Sequence, residues 1–293
     1  NISNKDFRIS INQEYIYPFY FILILEPEGF VIISRDDKSI PILGYSFNTS
    51  FDINNIPIQL DRILTSYNDG INYLIENQIE KNSDLQLLWN KYLLGDIETN
   101  NLYRNVQPLI TANWNQGGQW NDLCPNNSYV GCVAVAMGQV MYYWGYPGQG
   151  TGYSQYYDPE HGIISVNFEN YSYDFQNMDN DAATYDSQLL LYHAGVAVHM
   201  DYSPWGSGAS VCWEGPSAQD ALDNNFNYND IITCEVKINY SDYDWELLIK
   251  NQLDRGWPVI YRGYSEDAGH AWNIDGYQDN YYHCNWGWGG SSN

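Results

Sequence analysis

Apolar positions in residues 9–52 fall in short runs separated by turn signals: Tyr15–Leu25, broken by Pro18, then Glu26-Pro27-Glu28-Gly29, Phe30–Ser34 and Arg35-Asp36-Asp37-Lys38. Such runs, punctuated by Gly, Pro and Asp, predict an antiparallel meander. From Ile58 to Leu94 the spacing becomes three and four, with Leu60, Ile63, Leu64, Tyr67, Ile71, Leu74 and Ile75 in one stripe and Leu85, Leu87, Leu88, Tyr92 and Leu93 in another. That period predicts helices with one apolar face, completing a small sheet-and-helix domain. Gly95–Gln107 is polar and aperiodic, the composition of a linker, and places a domain boundary near Asn105.

Beyond it, the small-residue apolar run Cys132–Trp144 predicts a buried central helix, ended by Gly145-Tyr146-Pro147-Gly148. Residues 151–183 are aromatic and Asn-rich without a period, which predicts long loops with short strands. Helices are expected at Ser187–Met200, at Pro216–Phe226 with Pro216 in the first turn, and at Ser241–Arg255, capped by Ser241 or Asp242 and stopped by Gly256. Strands follow at Trp257–Tyr264, His270–Tyr277 and Tyr281–Trp286, the last two joined as a hairpin through Gln278-Asp279-Asn280. Helices first and sheet second define an α+β domain, and no internal repeat interrupts it.

Composition narrows the function. The 293 residues are 44% hydrophobic and 16% aromatic, enough for a core, and carry a formal charge of −24 with only 12 Lys and Arg. A polyanion would meet a surface of its own sign, which argues against nucleic-acid or anionic-membrane partners. No stretch approaches the roughly 20 apolar residues of a membrane span. With neither an initiator Met nor a signal peptide, the chain is expected to be a processed form whose export signal has been removed. Cysteines at 124, 132, 212, 234 and 284 are odd in number, so at least one thiol is unpaired; Cys132 is the one expected free, and pairing of the others stays open.

Cys132 opens the central helix directly after Gly131. Backbone N–H groups at a helix N-terminus favour thiolate over thiol, so this position suits a nucleophile, although a lone Cys is more often simply packed. An imidazole follows in Gly269-His270-Ala271-Trp272, and an amide in Cys284-Asn285-Trp286-Gly287-Trp288-Gly289-Gly290. A base takes the thiol proton and returns it to the leaving amine, and a polar group on the other ring nitrogen fixes the tautomer.

Four blocks in one order carry a specific resemblance: Trp114-Asn115-Gln116-Gly117 with Asn121-Asp122-Leu123-Cys124-Pro125, then Gly131–Met141, Gly269–Gly276 and Asn285–Gly290. With Cys, His and Asn in papain order, the chain resembles the streptopain-type cysteine peptidases, a secreted, papain-like bacterial family. Upstream, Gly29–Asp37 and Ile42–Ser46 resemble that family's propeptide. The resemblance implies a zymogen: residues 1–105 an inhibitory propeptide, cut near Asn105, and residues 106–293 a two-lobed papain-like peptidase domain. It implies a secreted or cell-surface virulence endopeptidase, acting on proteins or peptides as a monomer without metal or cofactor.

By the same resemblance Cys132 is the nucleophile, His270 the acid and base, and Gln116 an oxyanion donor worth about 3 kcal/mol. Asn285 and Trp286 orient and shield the imidazole. Trp288 is a second aromatic wall, Gly269 allows close approach of substrate, and Ser210 belongs to the Gly- and Ser-rich loop 201–210 bordering the cleft. Family members continue past Trp-Gly-Trp-Gly-Gly whereas this chain stops at Asn293, so a shortened second lobe is expected, and the polar Asn273 has no counterpart in the pattern. An inactive peptide- or glycan-binding relative would be free to lose Cys, His, Gln and Asn, and all four are present. A transglutaminase-like triad through Asp275 needs it to reach His270, but five strand positions separate them by about 16 Å and turn them to opposite faces.

Overall fold

The computed structural model describes residues 11–26, 28–46, 51–54, 56, 58–81, 83–94, 105–228, 232–264, 269–279 and 281–293. The chain divides into two compact units, Asn1–Tyr103 with Ser291–Asn293, and Arg104–Gly290.

In the N-terminal unit β1 (Ile11–Ile16), β2 (Tyr20–Leu25), β3 (Phe30–Ser34) and β4 (Ile42–Ser46) form an antiparallel sheet in sequence order. Tyr20, Ile22, Leu25, Phe30 and Ile32 are buried. The run Tyr15–Leu25 is two strands, because Pro18 has no N–H for a ladder and the chain turns there, Tyr17 N–H donating to Tyr20 O at 3.0 Å. Helices α1 (Ile58–Glu76) and α2 (Ser83–Leu94) follow. Leu60, Leu64 and Ile71 of the first stripe are buried, and Tyr67 OH donates to Leu43 O of β4 at 3.0 Å. Most of the expected linker lies outside the described residues. Asn105–Val106 forms β5, paired with β9, rather than linker.

The second unit is built on α3 (Cys132–Trp144), buried throughout from Val133 to Met141, as a helix apolar on all sides must be. It packs with α4 (Tyr185–Ala197) and α5 (Ala218–Asn224) around Trp114, Phe168 and Tyr202. Between α3 and α4 the hairpin β6 (Tyr153–Asp158) and β7 (Gly162–Asn167) lies in the aperiodic region. The other lobe is an antiparallel sheet with β9 (Gly269–Gln278) at its centre. β10 (Tyr281–Asn285) lies along one edge of β9, and β8 (Val259–Tyr264) and β5 pair with its opposite edge, β8 along residues 269–274 and β5 at 277–278. Its own small core joins Ile249 and Leu253 of α6 (Asp242–Leu253) to Ile274 and Tyr277.

Helix α5 starts after Pro216: Ser217 Oγ accepts Asp220 N–H while Asp220 accepts Ser217 N–H, so the capping box sets the first turn two residues later than proline alone suggests. Cys212 and Cys234 form a disulfide, leaving Cys124, Cys132 and Cys284 free.

Candidate active site

Gly131 caps α3 with φ of +88°, a conformation that favours glycine, and a Cβ there would lie 2.6 Å from Met200 and 3.3 Å from Ser207 O. The cap therefore brings the loop 201–210 against the helix start, and the half-buried Cys132 sits at that start. Tyr129 N–H donates to Ser203 O at 3.2 Å, a second tie to the same loop. Ser210 stands at the loop's far end, bridged to Ser217.

Ala271 N–H donates to Cys132 Sγ at 3.4 Å, so the sulfur meets β9 one residue beyond His270. His270 is 7% exposed and its Nε2 lies 2.9 Å from the carbonyl oxygen of Trp286. A carbonyl only accepts, so Nε2 carries the hydrogen and Nδ1 presents a lone pair. Nδ1 is buried without a hydrogen-bond partner among the described residues. The ring stacks on Trp288 at 4.9 Å, and Trp272 and Trp286 each lie 6.1 Å away.

Burial pushes the His270 imidazole down to about 4, the Trp286 carbonyl opposing, and pushes the Cys132 thiol up against the backbone N–H groups of Ala271, Val133 and Cys132 itself. Each group on its own is thus held neutral by desolvation.

Gln116 is positioned by its main chain. Its carbonyl accepts Val130 N–H at 2.8 Å, two residues before Cys132, and its N–H donates to Asn115 Oδ1 at 2.7 Å. Asn115 bridges to Trp288, and Gly289 N–H donates to Trp114 O at 3.0 Å, so the glutamine block and the tryptophan block are tied together. No hydrogen bond of the Gln116 amide is found among the described residues.

Asn285 requires a correction. Among the described residues its side chain makes no hydrogen bond to His270: Nδ2 donates to Ala112 O at 2.9 Å, and Oδ1 accepts from Gln139 Nε2 at 2.9 Å and from Gly287 N–H at 3.3 Å. The residue is 1% exposed, and the polar contact expected of it comes from the main chain of the next residue, Trp286. Asp275 is spoken for as well, at 2.6 Å from His283 Nδ1 and accepting Ile110 N–H at 2.8 Å. Asn273 acquires a reason: its Nδ2 donates to Ala136 O at 3.1 Å and to Gln139 Oε1 at 2.9 Å. Sequence reasoning passed over Gln139, whose signal was a single polar residue inside an apolar helix. It passed over the Asp275–His283 pair because strand register is needed to see it.

A thiol at a helix start, an imidazole on the facing sheet and an N-terminal unit ahead of them define a papain-like cysteine peptidase zymogen. The chain belongs to the Peptidase C10 family, whose model matches residues 114–293, and residues 3–71 match that of the Spi protease inhibitor. Streptopain of Streptococcus pyogenes is 29% identical over 90% of this chain and 70% of its own length. The thiol protease/hemagglutinin PrtT of Porphyromonas gingivalis is 26% identical over 92% of this chain and 32% of its own. Among solved structures, a fragment of prointerpain A from Prevotella intermedia superposes with a TM-score of 0.76 at 27% identity, covering 96% of this chain and 89% of that one. Active interpain A gives 0.57 at 33% identity over 64% of this chain and 83% of that one.

Proposed function

We propose that Cys132 and His270 hydrolyse peptide bonds of protein substrates by acyl transfer through the thiol. The observation that carries this is the Ala271 N–H bond to Cys132 Sγ, with the unprotonated Nδ1 of the neighbouring His270 without a hydrogen-bond partner among the described residues. Desolvation penalises each charge singly, but a thiolate and an imidazolium formed together offset one another. Proton transfer from Sγ to Nδ1 therefore yields the nucleophile as substrate arrives, and His270 returns the proton to the leaving amine.

Gln116 and the Cys132 N–H donate to the oxyanion, while Trp288 and Trp286 keep water from the imidazole. The loop 201–210 with Ser210, and the edge at Gly269, contact substrate. Residues up to about 105 act as an intramolecular inhibitor until cut. Because β5 is paired with β9, the cut falls on the N-terminal side of Asn105. We read the protein as an exported monomer; its relatives are bacterial, and no helix among the described residues is long and apolar enough to cross a membrane.

Labelling by an epoxide inhibitor of papain-like enzymes and cleavage of fluorescein-casein after processing test the reading. Both should disappear in Cys132→Ala, and casein cleavage that survives the substitution refutes it.

A further inference from the structure

No hydrogen bond between the amide of Asn285 and the imidazole is found among the described residues, and a single peptide unit bonds to both. Trp286 C=O and Gly287 N–H belong to the same peptide, and among the described residues only Tyr146–Pro147 and Gly215–Pro216 are cis. In a trans peptide the two groups point in opposite directions. One end meets His270 Nε2 at 2.9 Å; the other meets Asn285 Oδ1 at 3.3 Å. Gly287 has φ of +69°, and a Cβ on it would lie 2.8 Å from Val135 of α3, so the unit is also pressed against the helix that carries Cys132.

Asn285 is itself held. Its Nδ2 points at Ala112 O, a group that only accepts, which leaves Oδ1 for Gly287 and for Gln139 Nε2. Gln139 Nε2 also points at Ala112 O, so its Oε1 is turned to Asn273. Asn273 Nδ2 in turn points at Ala136 O. Three amides, each at most 1% exposed, thus have their orientation fixed by main-chain carbonyls, and no flip keeps the bonds. Asn273 Oδ1 is buried without a hydrogen-bond partner among the described residues, a cost the set carries.

We infer that Asn285, supported by Gln139 and Asn273, is a positioning residue that orients His270 through the Trp286–Gly287 peptide rather than by direct contact. Holding Gly287 N–H aims the Trp286 carbonyl at Nε2–H. Hydrogen bonds in series also polarise one another, so this carbonyl stabilises an imidazolium better than a loose one. The indoles of Trp272, Trp286 and Trp288 pack around the ring, and among the described residues its only hydrogen-bond partner is this carbonyl.

The inference rests on the Cys132–His270 reading and is tested separately from it. Processed wild type and variants are titrated for active sites with the epoxide, and kcat, KM and the pH dependence of kcat/KM on fluorescein-casein are measured. In Asn285→Ala, kcat per titrated site should fall by about one to two orders of magnitude with KM little changed. The basic limb of kcat/KM should move to lower pH, since the imidazolium loses part of its support. Asn285→Asp keeps an acceptor for Gly287 N–H and should recover activity relative to alanine.

Should Asn285→Ala not fold, Gln139→Met decides. It leaves Asn285 Oδ1 with Gly287, Ala112 O with Asn285 and Asn273 with Ala136, so the fold keeps its partners. It should shift the same limb in the same direction by less. An unchanged limb and undiminished kcat per titrated site in these variants overturn the relay. Wild type that neither takes the epoxide nor cleaves casein overturns the reading beneath it.

Discussion

Gln116 shows how one residue can be held ready without being tied down. Its main chain is bonded on both sides, yet its amide has no described partner. A neutral donor that is placed but unspent serves a charge that appears only in the transition state. Gln116→Ala should lower kcat by about 10²–10³ with KM little changed, measured on casein-derived peptides. Burial of imidazoles makes another prediction. His193 and His270 are both pushed down to about 4, so between about 4 and the usual 6.5 the unfolded chain binds more protons than the folded one. Stability therefore rises with pH across that window and is lost as pH falls through it. The urea midpoint should show this slope, and His193→Gln, which keeps an amide near Tyr173 OH, should flatten it.

At the scale of elements, the site is a helix start facing a strand, and the pieces between them are pinned by turns. Gly287 is one such pin. A methyl group there meets Val135 and a positive φ at once, so Gly287→Ala should cost about 1–3 kcal/mol of stability in chemical denaturation and weaken catalysis with it. The disulfide Cys212–Cys234 closes a loop of 22 residues around α5. Cys234→Ser should lower stability by about 3 kcal/mol, read as a lower melting temperature, and leave Cys132 reactive.

For the whole molecule, the order of units dictates the course of activation. In Cys132→Ala the full 33.8 kDa chain should persist on prolonged incubation, whereas mature wild type added in trans should cut it. Mass spectrometry of the products should place the new terminus N-terminal to Asn105, since residues 105–106 belong to the catalytic sheet. A cut well inside the sheet lobe would exclude this boundary.

Local order was legible wherever one physical effect dominates. The stripe from Leu60 to Ile75, the mostly apolar run after Cys132 and a helix start at Ser241 or Asp242 follow from period, burial and capping, which act over a few residues. As candidates, Cys132 and His270 were legible from the chemistry of a thiol and an imidazole, and Gln116 from the family resemblance of its block. What only the tertiary structure decided was who touches whom. The bonds of Asn285 to Gln139 and Gly287, the tie of Asp275 to His283 and the use of Asn273 and Gln139 all depend on strand register and on how close α3 approaches β9 and β10. Gln139 meets Asn273 and Asn285 across more than a hundred residues of chain, and Asp275 meets His283 only through the register of the β9–β10 hairpin, so no pattern within any one segment encodes these contacts.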